Sequence, residues 1–304
     1  MLRAPISRVA MKQGLFAAAG AYLLWGLFPL YWRLLQDVPA LQIMSHRIVW
    51  CVTLVCGYLL WRDGLDWLRR LSLRVLGMLC LSSLFIACNW WLYIWAVNTG
   101  HIVETSLGYF INPLVSVMLG VFVLDERLRT AQWLAIGVAA VGVIYLTLQA
   151  GQLPWIALAL AFSFAGYGLV RKLAPISALE GLGVESSLLF LPALLVLIWS
   201  EHNGSGHFGH ETLGHDLLLL AGGAITALPL VLFAYGARRI PLSSVGILQY
   251  LAPTLQLVCG VLVFGEPFTP VQQLGFGCIW LALLIYALEG LWQGTRPRHE
   301  ISAG

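Results

Sequence analysis

Three ionisable residues lie within or at the edge of long apolar stretches of this sequence, and they are its first candidates for chemistry. His46 and Arg47 interrupt one stretch, and Glu104 begins another. The planar guanidinium of Arg47 suits a carboxylate or phosphate on a bound solute, while an ion pair with Glu104 is the structural alternative. His46 and Glu104 are candidate proton carriers, because histidine titrates near neutral pH. By pseudosymmetry, Glu185 is expected to close the opposite side of the site.

Aromatic and amide side chains are concentrated in two other apolar stretches. Tyr31, Trp32 and Trp95 lie near the ends of these stretches, where interfacial anchoring explains an aromatic residue. Five residues lie deeper and are expected to line a pocket for planar or amphipathic solutes: Tyr22, Trp25, Asn89, Trp90 and Tyr93.

Small and polar residues recur at every fourth position of a further stretch, which places them on one helix face. The residues of this stripe are Glu104, Gly108, Asn112, Ser116 and Gly120. Such a face meets other helices or water rather than lipid, so Asn112 either lines a cavity or forms structural hydrogen bonds. Pro113 and Pro253 lie near the middle of their stretches, and each predicts a kink that serves either gating or static packing.

The elements that position these residues are membrane-spanning helices. Of 304 residues, 60% are hydrophobic and only 10% are charged, which excludes an ordinary soluble protein. A span needs about 20 apolar residues and must be helical to satisfy its own backbone. Ten spans are predicted: Gly14–Leu35, Ala40–Trp61, Val75–Val97, Ile102–Leu124, Ala131–Leu148, Leu153–Val170, Leu182–Ser200, Leu217–Gly236, Leu242–Phe264 and Val271–Leu291.

The distribution of Lys and Arg predicts the orientation of these spans. With the N-terminus in the cytoplasm, all of the 17 Lys and Arg residues except Arg33 and Arg47 fall in segments on the cytoplasmic side. Basic loop residues favour that side. We therefore expect a multi-pass protein of the bacterial inner membrane with both termini in the cytoplasm.

An internal repeat divides the chain. Shifting the sequence by about 140 residues aligns 103–137 with 243–277, including Glu126 with Glu266. Two units of five spans are predicted, 1–150 and 151–304. Because five is odd, the second unit enters the membrane upside down. Inverted repeats around a midplane site are typical of alternating-access transporters, although a duplication can also serve only to build a stable bundle.

Other classes of function find little support. A net charge of +3 without a basic stripe argues against nucleic acid binding. The four His residues between 202 and 215 match no defined metal site, and the sequence carries no nucleotide-binding motif. We therefore expect no cofactor and no metal. The expected partners are a small-molecule solute and membrane lipid, with monomer or dimer left open.

The sequence as a whole resembles the ten-helix, EamA-type branch of the drug/metabolite transporter superfamily, and most of all its RarD permeases. The resemblance is carried by SHRIVW at 45–50, NWWLYIWAVN at 89–98, HIVETSLGYFINPL at 101–114, LPLVLFAYGARR at 228–239 and LQYLAPT at 248–254. It implies an all-α basket of helices around a central cavity, with the fifth and tenth spans peripheral. It also implies that Tyr109, Phe233, Gln249 and Tyr250 face the cavity, together with Tyr22, Trp25, Arg47, Asn89 and Tyr93.

Residues and resemblance together predict a permease that exports a small amphipathic or aromatic metabolite, with Arg47 as an anion anchor. Two alternatives stay open. One is an intramembrane enzyme acting on a lipid or isoprenoid substrate, for which Arg33, His46, Arg47 and Glu104 are the candidate cluster. The other is an accessory membrane subunit that transports nothing by itself.

Overall fold

The structure is a computed structural model that describes residues 8–69, 71–99, 101–151, 155–265 and 267–295; the side chains of residues 8, 97–98, 102–106, 150 and 290–295 fall outside that description. The described chain is a bundle of helices connected by short loops. The helices are α1 (Arg8–Gly26), α2 (Phe28–Arg33), α3 (Ala40–Asp63), α4 (Asp66–Arg69), α5 (Leu73–Asn98), α6 (Ile102–Leu124), α7 (Thr130–Ala150), α8 (Trp155–Leu173), α9 (Ala178–His202), α10 (Leu213–Ala237), α11 (Leu242–Gln249), α12 (Leu251–Leu262) and α13 (Pro270–Thr295).

The described residues contain ten candidate membrane spans, as the hydropathy predicts. The distribution of exposure supports a lipid environment. Phe16 and Leu148 are 78% and 74% exposed, while Ser82 and Gln249 are 0% and 4% exposed. A bundle that turns large apolar side chains outward and polar side chains inward suits hydrocarbon better than water.

Two spans are broken, contrary to the expectation of continuous helices over Gly14–Leu35 and Leu242–Phe264. The first breaks at Leu27 and the ninth at Tyr250. Pro29 lies four residues after Trp25, where a helical residue would donate its backbone N–H to the Trp25 carbonyl. Because proline has no backbone N–H, that hydrogen bond is missing. That carbonyl instead accepts a hydrogen bond from Gln256 Nε2 at 3.3 Å. The ninth span thus satisfies a backbone group that the break in the first span leaves free.

The principal helix contacts join the first five spans to the last five. The helix α6 packs against α8 and α11, α3 packs against α9 and α10, and α7 packs against α13. Contacts also recur when the halves are exchanged: α1 with α10 corresponds to α8 with α5. The fifth and tenth spans, α7 and α13, pack chiefly against each other, which agrees with their expected peripheral position. That one half is inverted stays a prediction.

The loops divide the bundle into two faces. We call the end that carries the α3–α5, α6–α7, α8–α9 and α10–α11 connections the basic face, because it contains most of the Lys and Arg residues. The other end is the far face. There the loop between α9 and α10 folds over α3: Gln42 Nε2 donates to the Ser205 carbonyl at 2.7 Å, and the Phe208 ring lies 5.3 Å from that of His46.

The basic face is closed by a polar network across the halves. The Glu126 carboxylate accepts hydrogen bonds from Leu242 N at 2.6 Å and from Ser243 N and Oγ at 2.9 and 2.8 Å. It thereby caps the N-terminus of α11, where the helix dipole favours negative charge. Lys172 Nζ lies 3.8 Å from the same carboxylate and donates to the Ala237 carbonyl at 3.0 Å. Three loops are thus held together at one end of the bundle.

Gly142 on α7 provides a test of the packing between the halves. A Cβ there would lie 2.8 Å from Cys278 Cβ and 2.9 Å from the Gly275 carbonyl oxygen on α13, whereas a Cβ at Gly137 on the same helix meets nothing within 4 Å. Gly142→Ala is expected to destabilise the protein by about 1–3 kcal/mol through overpacking. Gly137→Ala should leave stability unchanged or slightly raised. Melting temperatures in detergent measure both, and equal values for the two variants would refute this contact.

Glu126→Gln tests the closure of the basic face. The substitution removes a charged acceptor and turns an amide group toward backbone donors, so each hydrogen bond lost should cost about 1.5–3 kcal/mol. We expect a lower melting temperature in detergent. Glu201→Gln is the matched control, because its carboxylate is exposed and its polar partner among the described residues is the exposed ring of His210. A control that melts as low as Glu126→Gln would remove Glu126 from this role.

Candidate functional site

A cavity of about 280 Å³ lies between the two halves. Except for Leu230, its lining residues come from the middle of each span or the part nearer to the far face. The lining contains nine of the eleven residues that we predicted to bind substrate, namely Tyr22, Trp25, Arg47, Asn89, Trp90, Tyr93, Tyr109, Asn112 and Gln249. The cavity is thus one-sided: it occupies the half of the bundle away from the basic face.

Arg47 is the charged residue of this lining. Its Nε donates a hydrogen bond to Thr226 Oγ1 at 2.8 Å, and that hydroxyl donates onward to the Gly222 carbonyl at 2.7 Å. A Cβ at Gly222 would approach Arg47 Cγ to 3.2 Å, so the glycine leaves room for the arginine stem. The guanidinium is therefore held from one side by α10 and presents its other edges to the cavity.

Aromatic rings surround the Arg47 guanidinium. Its central carbon lies 4.8 Å from the ring centroid of Trp32, 5.5 Å from that of Trp90 and 5.7 Å from that of Phe28. These distances are within the range of cation–π attraction. In the part of the chain whose side chains are described, no carboxylate lies within 4.0 Å of Arg47. The Glu104 side chain lies outside the described residues, so the Arg47–Glu104 pair stays a prediction.

The polar residues of the cavity wall differ in whether their polar atoms already have hydrogen-bond partners within the protein. Asn89 Nδ2 donates to the Leu160 carbonyl at 2.9 Å and to Ser163 Oγ at 3.0 Å, which ties α5 to α8. Gln249 Oε1 accepts from Ser116 Oγ at 3.1 Å. In contrast, Asn112 Oδ1 is buried and has no hydrogen-bond partner among the described residues. An unpaired acceptor at a cavity wall is suited to a donor on a bound molecule.

Gly108 belongs to the stripe of small and polar residues on α6. It lines the cavity, and it also allows close helix packing, because a Cβ there would lie 3.2 Å from Leu160 Cβ on α8. Further along, Gly120 lies beside the Glu126 carboxylate and the Ser243 backbone. The stripe therefore faces helices of the second half along much of its length.

Two residues that the resemblance assigns to the cavity lie elsewhere. Phe233 is buried in an aromatic cluster beneath the cavity, stacked on Tyr167 with ring centroids 5.7 Å apart and 6.1 Å from the Tyr22 ring. Gly168 opposite leaves only enough room for that ring. Tyr250 is fully buried at the break between α11 and α12, and its hydroxyl donates to the Phe110 carbonyl at 3.3 Å. Both side chains are used to pack helices against one another.

The predicted gating and coupling residues are dispersed. Pro253 lines the cavity one turn after the break at Tyr250, and Pro113 lies inside the continuous helix α6. His46 packs against the far-face loop through Phe208. Glu185 is buried below the cavity, paired with Arg171 at 3.4 Å. Arg33 lies over the Phe264 ring at 4.8 Å, and neither Arg33 nor His46 is among the described residues that line the cavity with Arg47.

Several lining residues were not predicted as part of the site. They are Phe28, Pro29, Trp32, Ile86, Leu160, Phe164, Leu230, Ala252 and Gln256. Two of them left a signal in the sequence: Pro29 interrupts a predicted span, and Gln256 stands at fourth-residue spacing with Ala252 and Gly260. Trp32 was interpreted as an interfacial anchor, but the helix break at Leu27 brings its ring to Arg47. Thr226, the hydrogen-bond partner of Arg47, belongs to no sequence pattern that predicts this role.

No metal site is formed by the residues described: no group of three or more His, Cys, Asp or Glu side chains is arranged to hold an ion. In the far-face loop, His207 and His215 both contact the carboxylate of Glu211, while His210 contacts Glu201 at 2.6 Å. These histidines are arranged in pairs with carboxylates on the surface.

Comparison with known proteins gives consistent results. The EamA-like transporter family matches residues 12–148 and again residues 153–288. The chain is 47% identical to the protein RarD of Streptomyces exfoliatus, across 96% of this chain and 93% of that protein. It is 45% identical to the uncharacterized transporter YojE of Bacillus subtilis (strain 168), across 95% and 98%.

A more distant relative and a solved structure agree. The chloramphenicol-sensitive protein RarD of Pseudomonas aeruginosa is 31% identical across 90% of this chain and 93% of that protein. A crystal structure described only as that of a protein superposes with a TM-score of 0.70 at 20% identity, covering 91% of this chain and 98% of the other. That likeness supports the fold alone. The family match and these relatives identify a multi-pass membrane transporter rather than an enzyme, and the chain belongs to the EamA-like transporter family.

Proposed function

We propose that this transporter exports a small organic anion with an aromatic or apolar body from the bacterial cytoplasm by alternating access. The observation that carries the proposal is the Arg47 guanidinium at the cavity wall, anchored by Thr226 and surrounded by aromatic rings, with no carboxylate near it among the described side chains. A desolvated cation is costly unless it is paired. A carboxylate, phosphate or sulfonate of the solute supplies that pair.

The rest of the cavity supports a solute of modest size. Its volume of about 280 Å³ is near the lower end of small-molecule pockets. Aromatic faces from Trp25, Trp90 and Tyr109 take an apolar or planar body, and Asn112 Oδ1 accepts a hydrogen bond from a hydroxyl or amide. The expected solute therefore combines one anionic group, one apolar body and one donor.

Alternating access is supported by the asymmetry of the bundle. The cavity occupies the far half, while Glu126 and Lys172 hold the loops of the basic face together. Because the helix contacts recur when the halves are exchanged, a second arrangement with similar contacts and the opposite side open is geometrically available. The basic loops favour a cytoplasmic position for the closed face in the inner membrane.

Binding tests the role of Arg47. Purified protein is heated with benzoate, phenyl phosphate or benzenesulfonate, with benzamide as a neutral isostere and benzyltrimethylammonium as a cation. Chloramphenicol, a neutral aromatic amide, is included because one relative is named for it. A ligand that binds the native state raises its melting temperature. We expect stabilisation by at least one aromatic anion and not by its neutral isostere.

The variant Arg47→Gln should lose about tenfold or more in affinity for that anion, because it removes a charge-assisted contact. Arg69→Gln is the matched control, since Arg69 is exposed on α4 and pairs with Asp66. Stabilisation that is equal in Arg47→Gln, Arg69→Gln and the unaltered protein would remove Arg47 from the binding site.

Transport itself is tested in proteoliposomes that contain only this protein. We expect counterflow of radiolabelled benzenesulfonate, which is permanently ionised and does not leak through lipid, or of whichever anion of the panel gives the largest thermal shift. Arg47→Gln vesicles should show flux reduced about tenfold, with protein content equal to that of Arg69→Gln vesicles. Solute movement by the purified protein excludes the accessory-subunit alternative. Anion binding without any flux would contradict transport.

A further inference from the structure

A buried ion pair lies directly below the cavity, on the side of the basic face. Arg171 at the end of α8 and Glu185 on α9 place Nη1 and Oε1 3.4 Å apart, with side chains 1% and 3% exposed. Ser82 Oγ on α5 donates to the same Glu185 oxygen at 2.6 Å, and Ser83 Oγ donates to the Glu185 backbone carbonyl at 3.2 Å. One carboxylate therefore ties three helices together.

The Arg171 guanidinium has little other support. Its Nη2 donates to the Ala178 carbonyl at 2.9 Å, while Nε and Nη1 are buried without a hydrogen-bond partner in the part of the chain that the structure describes. A Cβ at Gly181 would come within 1.9 Å of Nη1, so the guanidinium fits only because α9 carries a glycine there. The negative charge of Glu185 is thus the principal compensation for a fully buried cation.

A small void lies between this pair and the cavity. It measures about 10 Å³, room for a single water molecule. Glu185, Ser186, Cys51 and Thr226 contribute to its wall, and it shares the wall residues Ile86, Trp90 and Leu230 with the large cavity. Thr226 is also the hydrogen-bond partner of Arg47. The void beside Glu185 is therefore adjacent to the cavity.

Among the described residues, the groups that face Glu185 do not include a second carboxylate. From α8 it faces Arg171 and the Tyr167 hydroxyl, from α3 the Cys51 thiol, and from α5 only the two serine hydroxyls. The helix α10 contributes Thr226 to the void but no charged side chain. Glu180, one turn earlier on α9, caps that helix through Ser177.

We propose that Glu185 is a proton-binding site that couples proton entry from the cavity to opening of the basic face. This rests on the proposed transport function. A proton that reaches the void binds a carboxylate oxygen of Glu185 and leaves Arg171 as an unpaired buried cation. Such a charge is strongly unfavourable, so the end of α8 moves until water reaches the guanidinium. The tie between α5, α8 and α9 is then released, the basic face opens, and the proton leaves toward the cytoplasm while solute enters the cavity. The restored Arg171–Glu185 pair closes that face again, and the solute then leaves toward the outside.

The test follows the basic face without any solute, so that its result does not depend on the proposed substrate. Spin labels are attached at Leu73→Cys and Leu173→Cys, at the start of α5 and the end of α8, in a variant that keeps the buried Cys51 beside Glu185 and in which the other five native cysteines are replaced. Both leucines are exposed, and neither lines the cavity. Double electron–electron resonance then measures the distance between the labels from about pH 8 to about pH 5, the interval in which a buried carboxyl group titrates.

We expect the unaltered site to shift from a shorter to a longer distance as the pH falls, by about 5 Å. Glu185→Gln mimics the protonated state and should show the longer distance at every pH, with the open fraction raised about tenfold at high pH. Glu289→Gln is the matched control, because Glu289 also pairs with an arginine, Arg129, at 2.7 Å but lies outside both voids. It should behave like the unaltered protein.

Ser82→Ala keeps the carboxylate and removes one donor to its ionised form. The transition should therefore occur at higher pH, which provides the test if Glu185→Gln does not fold. A distance that does not change with pH in either the unaltered protein or Ser82→Ala would overturn the proposal, as would a pH response retained in Glu185→Gln. Anion binding by Arg47 can persist in all of these outcomes, so failure of proton coupling is distinguishable from failure of the transport function.

Discussion

The structure depends on the inability of hydrocarbon to form hydrogen bonds. Every polar group within a span must find a partner inside the bundle or in a cavity. The first helix break obeys this constraint, since the Trp25 carbonyl left without a donor by Pro29 is bonded by Gln256 of the other broken span. Irregular backbone and the charged side chains Arg47, Arg171 and Glu185 therefore gather inside the bundle, and the lipid-facing surface is left apolar.

The same constraint gives the two buried arginines different roles. Arg47 is held by a neutral threonine and by aromatic faces, which orient its guanidinium without neutralising it. Arg171 is placed against a carboxylate and is sealed under Gly181. One cation is thus available to an anion from outside the protein, and the other is committed to an internal partner. Thr226 lies between them, bonded to Arg47 and on the wall of the void beside Glu185.

Interlocking of the halves relates these sites to the shape of the whole bundle. Because α3, α6 and α8 each pack on helices of the opposite half, neither half can move without exchanging contacts across the cavity. The closely packed glycines allow helices to approach at these contacts, and Glu126 joins two loops at the basic face. Because the halves are interlocked, a change of charge at the centre of the bundle can alter which helix contacts are favourable at its two faces.

The number of membrane spans and their helical structure were determined by the sequence, because a run of about 20 apolar residues in lipid has no alternative to a helix. Arg47, Asn89 and Tyr93 were also identifiable, since polar residues within such runs are costly and face inward. Tertiary structure alone decided the rest. Phe233 and Tyr250 pack below and beside the cavity, Trp32 reaches Arg47 through a helix break, and Glu185 meets Arg171 rather than the solute. The physical reason is that a span surrounded by lipid and other helices is apolar on most of its circumference. Its composition therefore does not specify which face a neighbouring helix will cover.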